Sequence, residues 1–420
     1  MGGQELQLFV VRLGAALSAV GEPVYAIQDS VKRVAAAYGV PAARITAFPT
    51  SLLVSLSGES TVLELSTPTV GPARLDRIAA LHRLLDEAER GTVEPVEGLR
   101  RLDEIEELPP RFGPLASIAG YGVLTIGIAL ILHPAPRDVL AAGLFGLIVG
   151  ALRLVTQAEA TLQVLLPVVA AFCVAALTAL AVKHDLADPG LRAMIAALAV
   201  FLPGAALTTA VLELARGDMI AGSSRLVWSS VQLMLLAFGI VAGIEAVGVS
   251  SSQAFSSADA VLGDWAPWLG VLVFAAGVIV ANSVPPKAFG PLLIVLYAAW
   301  TGQVVGNHLF GGYVSGLVGA LVMTPVATVV ARLPSAMPVY ATFLPAFWLL
   351  VPGALSLIGV TRLAGSTSAV GSGDFLAVVG SIIAVALGVL CGTQLDEWVV
   401  ALTRRERSER VVSGLDDRDV

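Results

Sequence analysis

The segment FLPGAALTTAVLELARGD, Phe201 to Asp218, sets a proline and a glycine, Pro203 and Gly204, inside an apolar run otherwise suited to a membrane helix. Proline removes a backbone donor and clashes with the preceding turn, and the glycine beside it loosens the chain further. In water such a break is a loop. In lipid the freed N–H and C=O groups find no water, so a broken helix at membrane depth lines a cavity walled by protein. A second copy, LVPGALSLIG from Leu350 to Gly359, follows 149 positions later, where Pro352-Gly353 matches Pro203-Gly204. The same offset carries Pro136 onto Pro285 and Gly239 onto Gly388 without a gap.

Composition supports the membrane setting. Of 420 residues 56% are hydrophobic and 14% charged, with a mean hydropathy of +0.84, too apolar for a chain surrounded by water. Residues 1–114 hold 11 Lys/Arg and 15 Asp/Glu, residues 396–420 hold 5 and 7, and the 281 positions between hold only 9 and 10. The net charge of −7 therefore comes mostly from the ends and gives no sign of nucleic-acid binding. Cys173 and Cys391 lie in apolar stretches and fit small hydrophobes better than a disulfide or metal pair. The N-terminus lacks the basic start, apolar core and cleavage site of a signal peptide.

Ten apolar segments, each near the ~20 residues that cross a bilayer, fall at 115–132, 138–155, 162–182, 192–213, 226–247, 267–283, 288–305, 309–331, 341–361 and 375–395. The predicted organisation is a cytoplasmic α+β domain (1–114), a first membrane repeat of five spans (115–247), an extracytoplasmic loop (248–266), a second five-span repeat (267–395) and a charged cytoplasmic tail (396–420). Five is odd, so the second copy enters from the opposite face. The fold class is then a mostly α, polytopic membrane protein of ten transmembrane helices, built as two inverted five-helix repeats behind a small head. Paired broken helices in such repeats mark secondary transporters, with the solute site between the breaks near the midplane.

Lys and Arg near span ends set the orientation. With the head inside, inner loops carry Arg153, Arg216, Arg225, Lys287 and Arg332, the tail adds Arg404, Arg405, Arg407 and Arg410, and the outer loop 248–266 has no basic residue. Both termini are therefore expected in the cytoplasm, with the body in the plasma (inner) membrane. Glycine series such as Gly143, Gly146 and Gly150, or Gly312, Gly316 and Gly319, suit close helix packing.

In the head, LQLFVVRLGAALSAVG and VYAIQDSVKRVAAAYG carry helical periodicity, TAFPTSLLVSLSG and STVLELST suggest two or three strands, and two charged helices follow to Glu107. His82, among Arg77, Arg83 and Asp86, is expected on a solvated face. Ser51, Ser55 and Ser57 have no G-x-S-x-G elbow and no evident base, so a structural or regulatory head is favoured over a hydrolase.

Thr208, Thr209 and Ser356 follow the breaks closely. With Pro203, Gly204, Pro352 and Gly353 they form the candidate substrate site, where hydroxyls and half-helix N-termini meet a polar, anionic solute. The plainer alternative is that such hydroxyls bond their own backbone. Glu213, Glu245 and Asp218 are the candidates for proton coupling; for Glu213 a simple boundary role beside Arg216 is the alternative. No catalytic set, metal cluster or Walker motif is found, so neither an ATP-driven pump nor a cofactor is expected.

These residues resemble the threonine/serine exporter family. The run Gly21–Gly39 (GEPVYAIQDSVKRVAAAYG) looks like the family's head helix and closing A-Y-G, and FPTSLLVSL (Phe48–Leu56) like its threonine-rich strand. LPGAALTTAVLELARGDMIAGSSRL (Leu202–Leu226) is similar to the family's P-G, acidic-Leu, Gly-Asp and Gly-x-x-Arg pattern, and the resemblance covers essentially the whole chain. It departs at Gln28, where an acidic residue is expected, and at Glu213, where the family has aspartate. The resemblance implies export of threonine and serine as an antiporter driven by the proton-motive force, without organic cofactor. Related two-chain proteins are linked to dicarboxylate (succinate) export, which is the alternative substrate class. The expected partners are the small-molecule substrate and membrane lipid, with no nucleic acid; a homo-oligomer is left open.

Overall fold

The computed structural model describes residues 2–56, 62–65, 74–156, 159–184, 191–249, 262–350 and 380–395. Pro352, Gly353 and Ser356, the tail 396–420 and most of the loop 248–266 lie outside the described residues.

The head is α+β. Helices α1 (Gly2–Ala19) and α2 (Val24–Ala37) cover an antiparallel sheet of β1 (Arg44–Phe48), β2 (Ser51–Ser55) and β3 (Val62–Leu65), in that order. Arg44 pairs with Ser55 and Ser51 with Leu65, fixing the register. Alternate residues of β1 and β2 are buried, Ile45 and Ala47 on one strand, Leu52 and Val54 on the other, so one face of the sheet meets the helices. Helices α3 (Leu75–Glu89) and α4 (Pro95–Glu106) close a core that includes Phe9, Leu13, Ile27, Val31 and Leu84.

Eleven further helices follow in the described residues: α5 (Pro114–Ile131), α6 (Pro136–Thr156), α7 (Ala160–Lys183), α8 (Leu191–Leu198), α9 (Gly204–Ala215), α10 (Met219–Val247), α11 (Ala266–Ala281), α12 (Phe289–Phe310), α13 (Gly312–Val330), α14 (Val339–Leu350) and α15 (Gly380–Leu395). Helices α5, α6, α7, α10 and α12 are long and apolar enough to cross a bilayer, and α8 with α9 makes a sixth if the bent pair is one span. Helices α11, α13, α14 and α15 are apolar but shorter. Leu140, Phe238 and Leu309 stand largely exposed on this body, an arrangement that lipid satisfies and water does not. The chain is a mostly helical, multi-pass membrane protein.

Glycine sets the closest approaches. Helices α5 and α11 run antiparallel along their length: a Cβ on Gly120 would lie 2.7 Å from the Ala281 nitrogen, one on Gly127 2.4 Å from that of Phe274, and one on Gly270 2.9 Å from that of Ile131. Helix α10 lies on α7 with Gly239 over the Val168 carbonyl and Gly243 over that of Phe172, where a Cβ would approach to 2.6 and 2.5 Å. Helix α15 lies on α13 in the same way, Gly388 over the Leu317 carbonyl at 2.3 Å and Gly392 over that of Leu321 at 3.2 Å. Every residue of the second pair sits 149 positions after its counterpart in the first. Without a hydrophobic drive between helices in lipid, such backbone contact is the main source of attraction.

Gly239→Ala and Gly388→Ala should each destabilise the protein by about 1–3 kcal/mol through overpacking, lowering the unfolding temperature in detergent. Gly290→Ala, where a Cβ would meet nothing within 4 Å, should not; equal unfolding temperatures for all three would disprove the account.

Candidate functional site

The break at Pro203-Gly204 is present. Helix α8 tightens into a 3-10 turn over Ala199–Phe201, and α9 restarts at Gly204, bent by 56°. Pro203 precedes α9 without a side-chain cap, and its carbonyl accepts the first helical bond from the Leu207 N–H at 2.8 Å. Thr208 is fully buried and its hydroxyl donates to the Gly204 carbonyl at 3.0 Å, the backbone bond that was the plainer alternative. Thr209 instead lines a cavity of about 1140 Å³ between head and body. The head contributes Arg33, His82, Asp86 and Glu89 to its wall, and the body contributes Leu212, Lys287 and Phe347. The cavity thus carries charge of both signs on the head side, and on the body side a lysine, Lys287, among largely apolar residues.

Beside it, a buried polar cluster binds the head to the body. The link between α1 and α2 turns at Gly21 (φ +90°), a conformation that a side chain would strain. Pro23 begins α2 without offering a side-chain acceptor. Glu213, 189 residues further along, supplies it: Oε1 accepts the Val24 N–H at 3.1 Å. A carboxylate there also complements the positive end of the helix. Arg225 neutralises Glu213 with two bonds, Nε to Oε2 and Nη2 to Oε1, both 3.1 Å, the forked geometry that suits a carboxylate. It also donates to the carbonyls of Gly21 and Glu22 at 3.4 and 3.2 Å, while the Tyr340 hydroxyl donates to that of Val20 at 3.4 Å. Arg216 lies 3.9 Å over the Tyr25 ring. The Glu213 side chain is 0% exposed and that of Arg225 14%.

His82 is not on a solvated face. Its Nε2 lies 2.7 Å from Glu22 Oε1, without the in-line geometry of a hydrogen bond, and its ring stacks on Tyr340 at 6.2 Å. The cause is helical spacing. Leu75, Ile78 and His82 share one stripe of α3, and Leu75 and Ile78 pack into the core of the membrane body. Burial disfavours the imidazolium, but the Glu22 carboxylate, with Asp86 and Glu89 behind it, outweighs burial, so His82 titrates above its ordinary 6.5.

The three coupling candidates are not gathered together. Glu213 is in the joint, Asp218 is half-buried just before α10, and Glu245 is exposed near the far end of that helix, roughly 40 Å away at 1.5 Å per residue. Ser51 and Ser55 stand on β2, and the described partner of His82 is Glu22 rather than a serine. Sequence reasoning missed Glu22 and Tyr340, and counted Arg225 only as a charge of an inner loop. The available signal was Pro23, a helix start without a capping side chain.

The chain matches the model of the threonine/serine exporter family (ThrE) over residues 8–247, more than half its length. It is 24% identical over 387 residues to pheromone-regulated membrane protein 10 of Debaryomyces hansenii, an alignment covering 86% of this chain and 37% of that protein. The chain therefore spans little more than a third of that relative. No solved structure matches.

Removing one partner of a buried ion pair leaves the other uncompensated, so Glu213→Gln should cost about 3 kcal/mol, read as a fall in unfolding temperature; an unchanged value would show the pair to be idle. The Glu22–His82 contact should weaken with alkali. A group whose folded-state pKa is raised contributes fully below its unfolded value, 6.5, and loses that contribution as pH rises through the folded one. The stability advantage of the wild type over His82→Gln should therefore shrink between pH 6 and pH 9; a gap constant with pH would refute the pairing.

Proposed function

The chain belongs to the threonine/serine exporter family, and from that membership we propose that it exports small hydroxy amino acids, threonine and serine, as a secondary transporter. One observation carries the reading: a single cavity touches the head, the broken helix α9 and helices of the second half at once. Lys287 offers positive charge to a carboxylate and Asp86 negative charge to an ammonium, so both ends of a zwitterion find a counterpart, while Arg33 and Glu89 pair with one another at 2.8 Å.

The architecture proposed with it is ten spans in two inverted repeats. Five long helices, the bent pair and four shorter apolar helices make ten. The matching glycine contacts of α7 with α10 and α13 with α15, and the antiparallel run of α5 against α11, support inversion. In this reading Pro203, Gly204 and Thr209 frame one side of the site, with Thr208 behind them, and Pro352, Gly353 and Ser356 the other. Both termini are cytoplasmic and the membrane is the plasma membrane, so the cavity faces the side from which an exporter loads. Proton antiport acts through Glu213, the one coupling candidate that binds head and body together; Asp218 and Glu245 are secondary. The head has a regulatory part and no catalysis. Dicarboxylate export is the second reading, favoured by Arg83 and Arg111, which join Arg33 and Lys287 around the cavity.

Proteoliposomes preloaded with labelled threonine, serine or succinate, with a proton gradient imposed or withheld, test the proposal. Gradient-dependent loss of threonine and serine is expected. Thr209→Val should slow efflux about tenfold, the size of one lost polar contact, Pro203→Ala should slow it by restoring the donor whose absence breaks the helix, and Thr208→Val should leave it near normal. Loss of succinate alone would transfer the chain to the dicarboxylate reading, and a normal Thr209→Val would move the site elsewhere.

A further inference from the structure

Two polar atoms on α12 are buried without a hydrogen-bond partner: the indole Nε1 of Trp300 and the amide Oε1 of Gln303. Three residues apart, they share one helix face, with about 5–6 Å between their Cβ atoms. The Gln303 amide cannot turn to hide its oxygen. Its Nε2 donates to the Leu350 carbonyl at 3.3 Å, which only the nitrogen end can do, so Oε1 is left as an acceptor. Trp300 is 9% exposed, and an indole N–H can only donate. The scaffold around them is tight: a Cβ on Gly302 would lie 3.0 Å from the Gly319 Cα, and one on Gly319 2.5 Å from the Leu350 side chain.

A buried donor and a buried acceptor left unpaired cost stability, and the cost is not relieved by lipid. Helix packing does not require these residues, since Ala151 and Leu154 hold the equivalent places at the 149-residue offset in the first half. The polar pair is therefore particular to the second half. It borders Leu350, the end of α14, two residues before Pro352 in sequence.

We propose that Trp300 and Gln303 are a solute-binding pair: the indole N–H donates to a carboxylate oxygen, and Gln303 Oε1 accepts from an ammonium or hydroxyl of the same molecule. A small hydroxy amino acid carries all three groups within the spacing of the pair. In addition to Thr209 and the charged side chains of the cavity wall, this pair offers one donor and one acceptor. The inference rests on the reading of the chain as an exporter of a small polar solute.

The test compares the full-length wild type with Trp300→Phe and Gln303→Met in proteoliposomes, using threonine, serine and succinate in turn. For whichever solute the wild type moves, the half-saturating concentration should rise about tenfold in each variant, with the maximal rate little changed. The unfolding temperature of Trp300→Phe without solute should stay level or rise, because removing an unpaired polar atom relieves a cost, whereas Gln303→Met also loses its bond to the Leu350 carbonyl and should fall slightly. Unaltered half-saturation in both variants overturns the pair, and if the stability of Trp300→Phe falls at the same time its role is structural. A wild type that moves succinate alone defeats the amino-acid reading, and the pair is then judged on the succinate series. A wild type that moves none of the three defeats both.

Discussion

The carboxylate of Glu213 is the point on which head and body depend. Burying it and the guanidinium of Arg225 would cost several kcal/mol each if either were left alone. Each is repaid in geometry: two bonds between them, the Val24 N–H on one side and two backbone carbonyls on the other. The start of α2 gains the cap that Pro23 does not supply, and the carbonyls of Val20, Gly21 and Glu22 are taken up by side chains of the membrane body. The two stretches of sequence most alike the exporter family, Gly21–Gly39 and Leu202–Leu226, are the ones that touch here.

Around that joint the molecule combines rigid and yielding contacts. Helices α7 and α10, and α13 and α15, meet backbone to backbone through glycine, leaving no slack for rearrangement within a pair. The broken helix is held differently, by a 56° bend and by contact with α14 across the cavity. Helix α14 in turn carries Tyr340, which bears on His82 and on Val20. The head thus meets the second half at Tyr340 and the first half at Glu213, Arg225 and Arg216.

What was legible in the sequence follows from the range of the forces involved. The break at Pro203-Gly204 was legible because proline and glycine act on their own turn. The correspondence of Gly239 with Gly388 was legible through the common offset, which also carries Gly243 onto Gly392; that these glycines lie on neighbouring backbone was not, because it depends on the packing. The joint was not legible, because Val24 and Glu213 are 189 residues apart and each is ordinary in its own surroundings. His82 was misplaced for the same reason: charged neighbours in sequence suggested water, while the stripe of Leu75 and Ile78 led to the membrane body. Trp300 and Gln303 gave no signal, since their isolation is a property of what surrounds them.

The long reach of Glu213 has a consequence for biosynthesis. The head leaves the ribosome before the body, yet α2 has no cap until Glu213 and Arg225 have been made and brought beside it. Non-local contacts of this kind form late. The head therefore emerges before the first half of the body and is completed only after it, and a chain truncated before Arg225 leaves the start of α2 unfinished.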